Sequence, residues 1–308
     1  MATGRERSTD GTVAPSARPA GAADTLRQLV VLLTSLLAIA AAFIGSGAFI
    51  LPGTFMGFEA FTATPIQDAA GGWFDADATL LAPARPAFGI WSLIYAGMFA
   101  YALWQLLPAQ HAAPRHRRVG YAVAASLVLN ALWIGVVQFG LLGASLAVIA
   151  VLAALLGWIF LQLRRMPQRS VLDGIITDGS IGLYLGWVVV ATAANATAVL
   201  AAAGFDGGPF DPIVWAVIVI SVAGGIGVAI GLAGRGRLAP MLSICWGLAW
   251  ISVARLTDEP ASRIAGIAAL IAAGVVAIVT IGARIGAMVA ERADRQDRLR
   301  EEAAAAPA

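Results

Sequence analysis

Eight stretches of this chain run for roughly twenty residues with scarcely a charge in them, and this pattern constrains the fold more than anything else in the sequence. They lie at about 29–50, 86–107, 119–139, 141–163, 179–203, 212–233, 238–256 and 263–289. About 20 apolar residues in an α-helix cover the hydrocarbon core of a bilayer. In that medium backbone N–H and C=O groups find no water, so each such stretch must satisfy them internally as a helix. Composition points the same way. Apolar types make up 59% of the 308 residues and charged types 12%, about half the charged share of a soluble domain. A soluble globular domain and a disordered chain are both excluded. The expected fold is all-α, a polytopic transmembrane helix bundle of about eight spans.

The arginines give an independent test of the span count. All 20 basic residues are Arg. With the N-terminus inside, sixteen fall in inner segments (1–28, 108–118, 164–178, 234–237 and 290–308), against Arg85, Arg255 and Arg263 outside. Arg284 lies near the inner end of the last span and can snorkel inward. This split obeys the positive-inside rule, and an odd number of spans would put the basic tail on the wrong side. The expected location is the cell membrane, multi-pass, with both termini cytoplasmic. The polar residues 1–27 have too little apolar content to fold alone and are expected to be disordered. The first apolar stretch ends at Leu51-Pro52 without a small-residue cleavage site, so it reads as a span and not a signal peptide. After residue 290 acids alternate with Arg before an Ala-rich end, which predicts a solvated helical extension as a cytoplasmic tail over 291–308.

Several chemistries are missing. The chain has no Lys for a Schiff base, and the single Cys245 cannot form an intramolecular disulfide. The net charge of +2 is too small for a nucleic-acid partner. No Walker A, dinucleotide or Gly-x-Ser-x-Gly pattern appears. His111 and His116 share an Arg-rich loop with no carboxylate or thiol beside them in sequence, so no metal site and no cofactor are expected. No catalytic residue is assigned, and nothing demands an enzyme. The middles of the spans carry no Asp, Glu or His, which argues against a proton- or cation-coupled carrier. Arg255 stands beside Asp258 and Glu259 and reads as a snorkelled, locally paired cation, with an anion site as the alternative. The long outer loop 51–85 mixes acids (Glu59, Asp68, Asp75, Asp77) with Phe55, Phe58, Phe61, Trp73 and Phe74. It reads as an interfacial anchor or, alternatively, a lid.

What the spans do carry is amides, hydroxyls and indoles. Asn130, Gln138, Thr192, Asn195 and Thr197 need partners, because a buried amide without a hydrogen bond is costly. They either tie helices together or face a cavity. Of the nine Trp, Trp158 and Trp215 sit near span ends, as in an aromatic belt. Others form stripes. Trp91 and Tyr95 are i and i+4, with Phe88 and Phe99 near the same face. Asn130 and Trp133 are i and i+3. Trp187, Ala191 and Asn195 are i, i+4 and i+8. An indole wall, a small residue and an amide on one stripe suit a planar apolar ligand; plain helix packing is the alternative. The pairs Gly182/Gly186, Gly227/Gly231 and Gly282/Gly286 permit close helix approach, within the chain or between copies.

These stripes resemble the TspO/MBR family of tryptophan-rich sensory or translocator proteins over about residues 30–203. Pro83, Pro86, Phe88, Gly89, Trp91 and Tyr95 are similar to the proline-aromatic opening of that family's second helix. Asn130 and Trp133 match its third helix, with Phe139-Gly140 a partial echo. Tyr184, Trp187, Ala191 and Asn195 match its fifth at every spacing. Ile134 stands where the family has Pro, Val137 and Gln138 replace a Phe pair, and 196–200 offer no sterol-associated Tyr or basic residue. The resemblance implies a five-helix unit over 28–203 with an internal pocket for porphyrins and other apolar ligands. The three further helices over 204–290 are not part of that unit. By this resemblance and the stripes together, the candidate ligand-binding residues are Trp91, Tyr95, Asn130, Trp133, Tyr184, Trp187, Ala191 and Asn195. The expected function is binding, sensing, carrying or sequestering a planar hydrophobic molecule such as a tetrapyrrole. The alternatives are a facilitative transporter of a small solute or a structural membrane subunit. Expected partners are that hydrophobic small molecule and the lipid bilayer; a homo-oligomer is left open.

Overall fold

The computed structural model describes residues 19–47 and 63–305. Its helices are α1 (Ala22–Gly45), α2 (Ile90–Trp104), α3 (Pro114–Gln138), α4 (Leu142–Arg164), α5 (Val171–Ala202), α6 (Pro212–Ala233), α7 (Leu238–Thr257) and α8 (Arg263–Ala305). A 3-10 turn, Arg85–Gly89, leads into α2. Counted with that turn, all eight are long and apolar enough to cross a membrane. No strand occurs among the described residues. The protein is an all-α polytopic bundle, as expected.

Two helices, α1 and α5, begin earlier than the hydropathy pattern predicts, both for an electrostatic reason. α1 starts at Ala22, inside the segment 1–27 expected to be disordered. There Asp24 holds Arg27 at 2.9 Å and Arg117 at 2.6 Å, so polar residues become part of a packed helix end. α5 starts at Val171 and not at 179. Ser170 caps it by accepting from the Asp173 backbone N–H at 3.0 Å, and Asp173 and Asp178 are paired with Arg115, Asp178 also with Arg237. Both acids are therefore buried in the first turns of a membrane helix, where the sequence reading had placed none. A π-helical stretch, Gly174–Gly179, follows the first turn. The α3–α4 turn falls at Gly140, whose φ of +71° favours Gly. α6 has the expected bounds, with Asp211 capping Ile213 N and Pro212 in the first turn. The end of the expected first span and Phe55, Phe58, Glu59 and Phe61 lie outside the described residues.

The first five helices close on themselves: α1 touches α2 and α3, α3 touches α4, α4 touches α5, and α5 returns to α2. Their shared core includes Ile94, Met98, Leu127, Trp133, Leu156, Tyr184 and Trp187. α7 packs along α5, and α6 and α8 pack on α7 and each other, around a second core of Ile220, Ile244, Leu248, Ile251, Ala269 and Val276. Val190 of α5 belongs to this second core, so α5 serves both. Two of the glycine pairs act inside the chain. A Cβ on Gly186 would land on Ser243 and Pro240 of α7, and one on Gly231 would land on Thr280 of α8. Gly282 and Gly286 meet nothing within 4 Å. At 1.5 Å per residue the 43-residue α8 is about 64 Å long, roughly twice the hydrocarbon thickness. Its charged extension continues to Ala305, with residues 291–304 exposed, as the charge pattern predicts.

From residue 63 on, the loop before α2 is folded against the bundle. Ile66, Phe74, Leu81 and Ala82 are buried. Gln138, at the end of α3, donates to Thr64 O at 2.7 Å. Arg85 grips Asp68 and Asp75 at 2.6 and 2.5 Å. That guanidinium holds the Asp75 carboxyl below its usual range. Arg255 corrects the earlier expectation. It is 1% exposed and donates to the carbonyls of Thr79 and Pro260 at 3.0 Å, and to that of Ala76. It therefore pins the loop to α7 through backbone oxygens, where pairing with Asp258 and Glu259 was expected.

Candidate functional site

Three aromatic residues on α2 and its leading turn meet two on α5. Trp91 stacks on Tyr95 with centroids 5.3 Å apart. Its edge or face meets Tyr184 at 6.0 Å and Trp187 at 6.2 Å, both T-shaped. Phe88 meets Trp187 at 5.9 Å, and Phe74 of the loop meets Trp133 at 5.9 Å. Two hollows open between these rings among the described residues.

The larger hollow measures about 300 Å³ and lies between α1, α2 and α3. Trp91, Tyr95, Trp133, Phe88 and Ile134 wall it, with Ser46, Gln67 and Ser92 as its polar groups. The smaller, about 30 Å³, lies under the loop between α3 and α5. Trp73, Phe74, Phe88, Trp133, Trp187 and Ala191 line it. Phe88 and Trp133 belong to both, so these two rings form the partition between them.

Five of the eight residues singled out in the sequence thus border a hollow: Trp91, Tyr95, Trp133, Trp187 and Ala191. The other three do not. Asn130 accepts from the Tyr95 hydroxyl at 2.7 Å. Asn195, fully buried, accepts from Trp133 Nε1 at 2.9 Å and donates to Ser145 Oγ at 3.0 Å. Tyr184 donates to Ser126 O at 3.1 Å. These groups tie α2 to α3 and α5 to both α3 and α4, which holds the aromatic walls in place. Thr192 bonds only its own helix, to Val188 O. Helical spacing does not mark Gln67, Ser92 or the contribution of Phe74. Only the aromatic content of the loop pointed to the last.

The Arg-rich end of the same ring is polar and buried. Arg115 bridges Asp173 and Asp178, and Arg237 at the head of α7 reaches Asp178 at 2.7 Å. Gln28 and Gln105 exchange side-chain amide bonds with each other's backbone carbonyl. His116 is 1% exposed, its ring 5.6 Å from that of Tyr101. The sequence reading gave the His loop no acidic neighbours; the fold supplies them from α1 and α5. Tyr101 Oη, Gln105 Oε1, Gln110 Oε1 and His116 Nδ1 are buried here without a protein partner among the described residues.

Eight apolar helices, a ring of five with aromatic hollows, and a cap folded over one end define a multi-pass helical protein of the lipid bilayer. The sequence model of the family described as TSPO-like protein matches residues 48–282, and the chain belongs to that family. The match runs past residue 203, where the resemblance read from the motifs stopped, through α6 and α7 and into α8. No curated protein and no solved structure matches the chain.

Proposed function

We propose that this protein binds a planar hydrophobic molecule, of the tetrapyrrole kind, in the hollow between α1, α2 and α3. The observation that carries the reading is the cavity of about 300 Å³ walled by Trp91, Tyr95, Trp133 and Phe88, with only a few polar groups. Its size is at the low end for small-molecule sites, and its lining has their usual makeup. Flat π-systems stack on such walls. Swinging Phe88 or Trp133 joins the two hollows and enlarges the site toward Trp187 and Ala191. Trp91, Tyr95, Trp133, Trp187 and Ala191 contact the ligand on this reading, and Asn130, Tyr184 and Asn195 position the walls. The role is sensing, carrying or sequestering, without covalent chemistry. The 16-to-3 arginine split supports a cell-membrane orientation with both termini cytoplasmic.

Titration of purified protein with a porphyrin, read by quenching of Trp fluorescence, tests this. Trp91→Ala is expected to weaken binding about tenfold, the equivalent of one lost aromatic contact. Unchanged affinity in both Trp91→Ala and Phe88→Ala would refute the site.

One observation favours a second reading, a facilitator of a small solute. The unpartnered polar atoms of Tyr101, Gln105, Gln110 and His116 lie at the Arg-rich end of the same ring, where they would solvate a polar path. Solute flux in proteoliposomes without tight porphyrin binding would favour it.

A further inference from the structure

The arginines at the Arg-rich end differ in how they are held. Arg27, Arg115, Arg117 and Arg237 are all paired with Asp24, Asp173 or Asp178. Arg118, one turn into α3, is exposed and has no carboxylate within reach among the described residues. It is nevertheless fixed. Its Nε donates to Gln162 Oε1 of α4 at 3.1 Å, and its guanidinium lies over the Trp158 ring at 5.5 Å. Bonding one edge and stacking one face orients the plane and leaves the two terminal amino groups as a free fork. A fixed fork suits two oxygens of a phosphate, a geometry a Lys cannot offer.

The surroundings narrow the ligand further. Segments 114–118 and 158–172 contain no Asp or Glu, and exposed Arg164 and Arg165 follow Gln162. Trp158 is 40% exposed, and the outward faces of α3 and α4 are apolar, with Tyr121, Val128 and Leu161 exposed. Arg118 therefore stands where a lipid-facing surface meets the Arg-rich end of the bundle. A free anion at one exposed Arg gains little. A lipid arrives in the plane of the membrane at high local concentration and lays its chains on the apolar faces.

We propose that Arg118, braced by Trp158 and Gln162, is a seat for the phosphodiester of an anionic glycerophospholipid. The local excess of Arg repels the ammonium of a zwitterionic headgroup, which selects lipids with net negative charge. The seat is independent of the aromatic hollow and of what that hollow binds.

Native mass spectrometry of the full chain, delipidated in mild detergent and then given phosphatidylglycerol or phosphatidylcholine of matched chains, tests it. Wild type is expected to retain one phosphatidylglycerol more firmly than phosphatidylcholine. Arg118→Gln is expected to weaken that retention about fivefold, as for one Arg at a membrane surface, while Arg263→Gln at the other end leaves it unchanged. Gln162→Ala, which frees the fork but keeps the charge, is expected to fall between them. Equal retention of both lipids, or an Arg118→Gln variant indistinguishable from wild type, overturns the proposal. Displacement of phosphatidylglycerol by millimolar inorganic phosphate also overturns it, by showing a soluble-anion site.

Discussion

The ring α1–α5 and the group α6–α8 solve the same problem by different means. Helices in a bilayer gain no hydrophobic free energy by touching, because lipid tails are as apolar as they are. In the second group the gain comes from close approach. Gly224, Gly227 and Gly231 of α6 face Ala272, Val276 and Thr280 of α8, and the buried core there is aliphatic. The ring adds Trp, Tyr and Phe to its aliphatic core, and the two hollows described above lie between those rings. It is also held by directed bonds: Tyr95 to Asn130, Asn195 to Trp133 and Ser145, and the ion cluster around Arg115. The ring thus combines close packing with polar fastening, and both hollows described above are lined from it.

The largest effect is expected where the ring is fastened by charge. Arg115→Leu leaves Asp173 without its cation and Asp178 with Arg237 alone, in a site where both acids are at most 7% exposed. Breaking a buried pair from one side costs about 3–5 kcal/mol. Thermal unfolding in detergent should show a large loss, and a shift no greater than that of an exposed control such as Arg165→Leu would mean the cluster fastens nothing.

In the second group the sensitive change adds atoms. Gly231→Ala puts a methyl onto Thr280 and should cost about 1–3 kcal/mol. Gly225→Ala, on the same helix with nothing within 4 Å, should instead gain about 0.5–1 kcal/mol from helix propensity. Opposite signs at two glycines of one helix, read as unfolding midpoints, sharpen the contrast; equal shifts would erase it.

A smaller effect is expected at Trp133→Phe. It removes the donor to Asn195 and keeps most of the wall, and an interhelical hydrogen bond averages about 0.6 kcal/mol. Ser145 still satisfies the Asn195 amide. The stability loss should be slight, and a loss comparable with Arg115→Leu would show that this bond, and not the ion cluster, carries the ring.

The same contrast explains what could be read from the sequence. Span count, the α6 bounds and the charged α8 extension follow from local properties: apolar run length, Asp211-Pro212, alternating charge. The Tyr184–Trp187–Ala191–Asn195 stripe is also local, and it marked the helix that carries the site. Which of its members border a hollow was not legible. Asn195 and Tyr184 are used by Trp133 and Ser126, 62 and 58 residues away. Early starts of α1 and α5 were hidden for the same reason. Asp24, Asp173 and Asp178 look like loop residues until Arg117 and Arg115 arrive from α3. Arg255 looked paired with its sequence neighbours because the carbonyls it serves are some 180 residues earlier.

The smallest predicted effect concerns the cap over the ring. Asp75 accepts from Arg85 Nε at 2.9 Å and from Nη2 at 2.5 Å, and its carboxyl titrates below the ordinary value of about 3.8. A depressed carboxyl contributes stability that is complete above the unfolded value and is lost as pH falls through the lower folded one. Wild type should therefore hold its loop more firmly than Asp75→Asn at pH 7, with the difference shrinking below about pH 4. The pair is partly exposed, so salt should reduce the difference as well. Hydrogen exchange of the Ala76 and Ala78 amides at pH 7, which sit in this turn, reports the loop and not the bundle. Faster exchange in Asp75→Asn with an unchanged unfolding midpoint is the expected result. A shifted midpoint would mean the cap is fastened into the ring as firmly as the ion cluster at its opposite end.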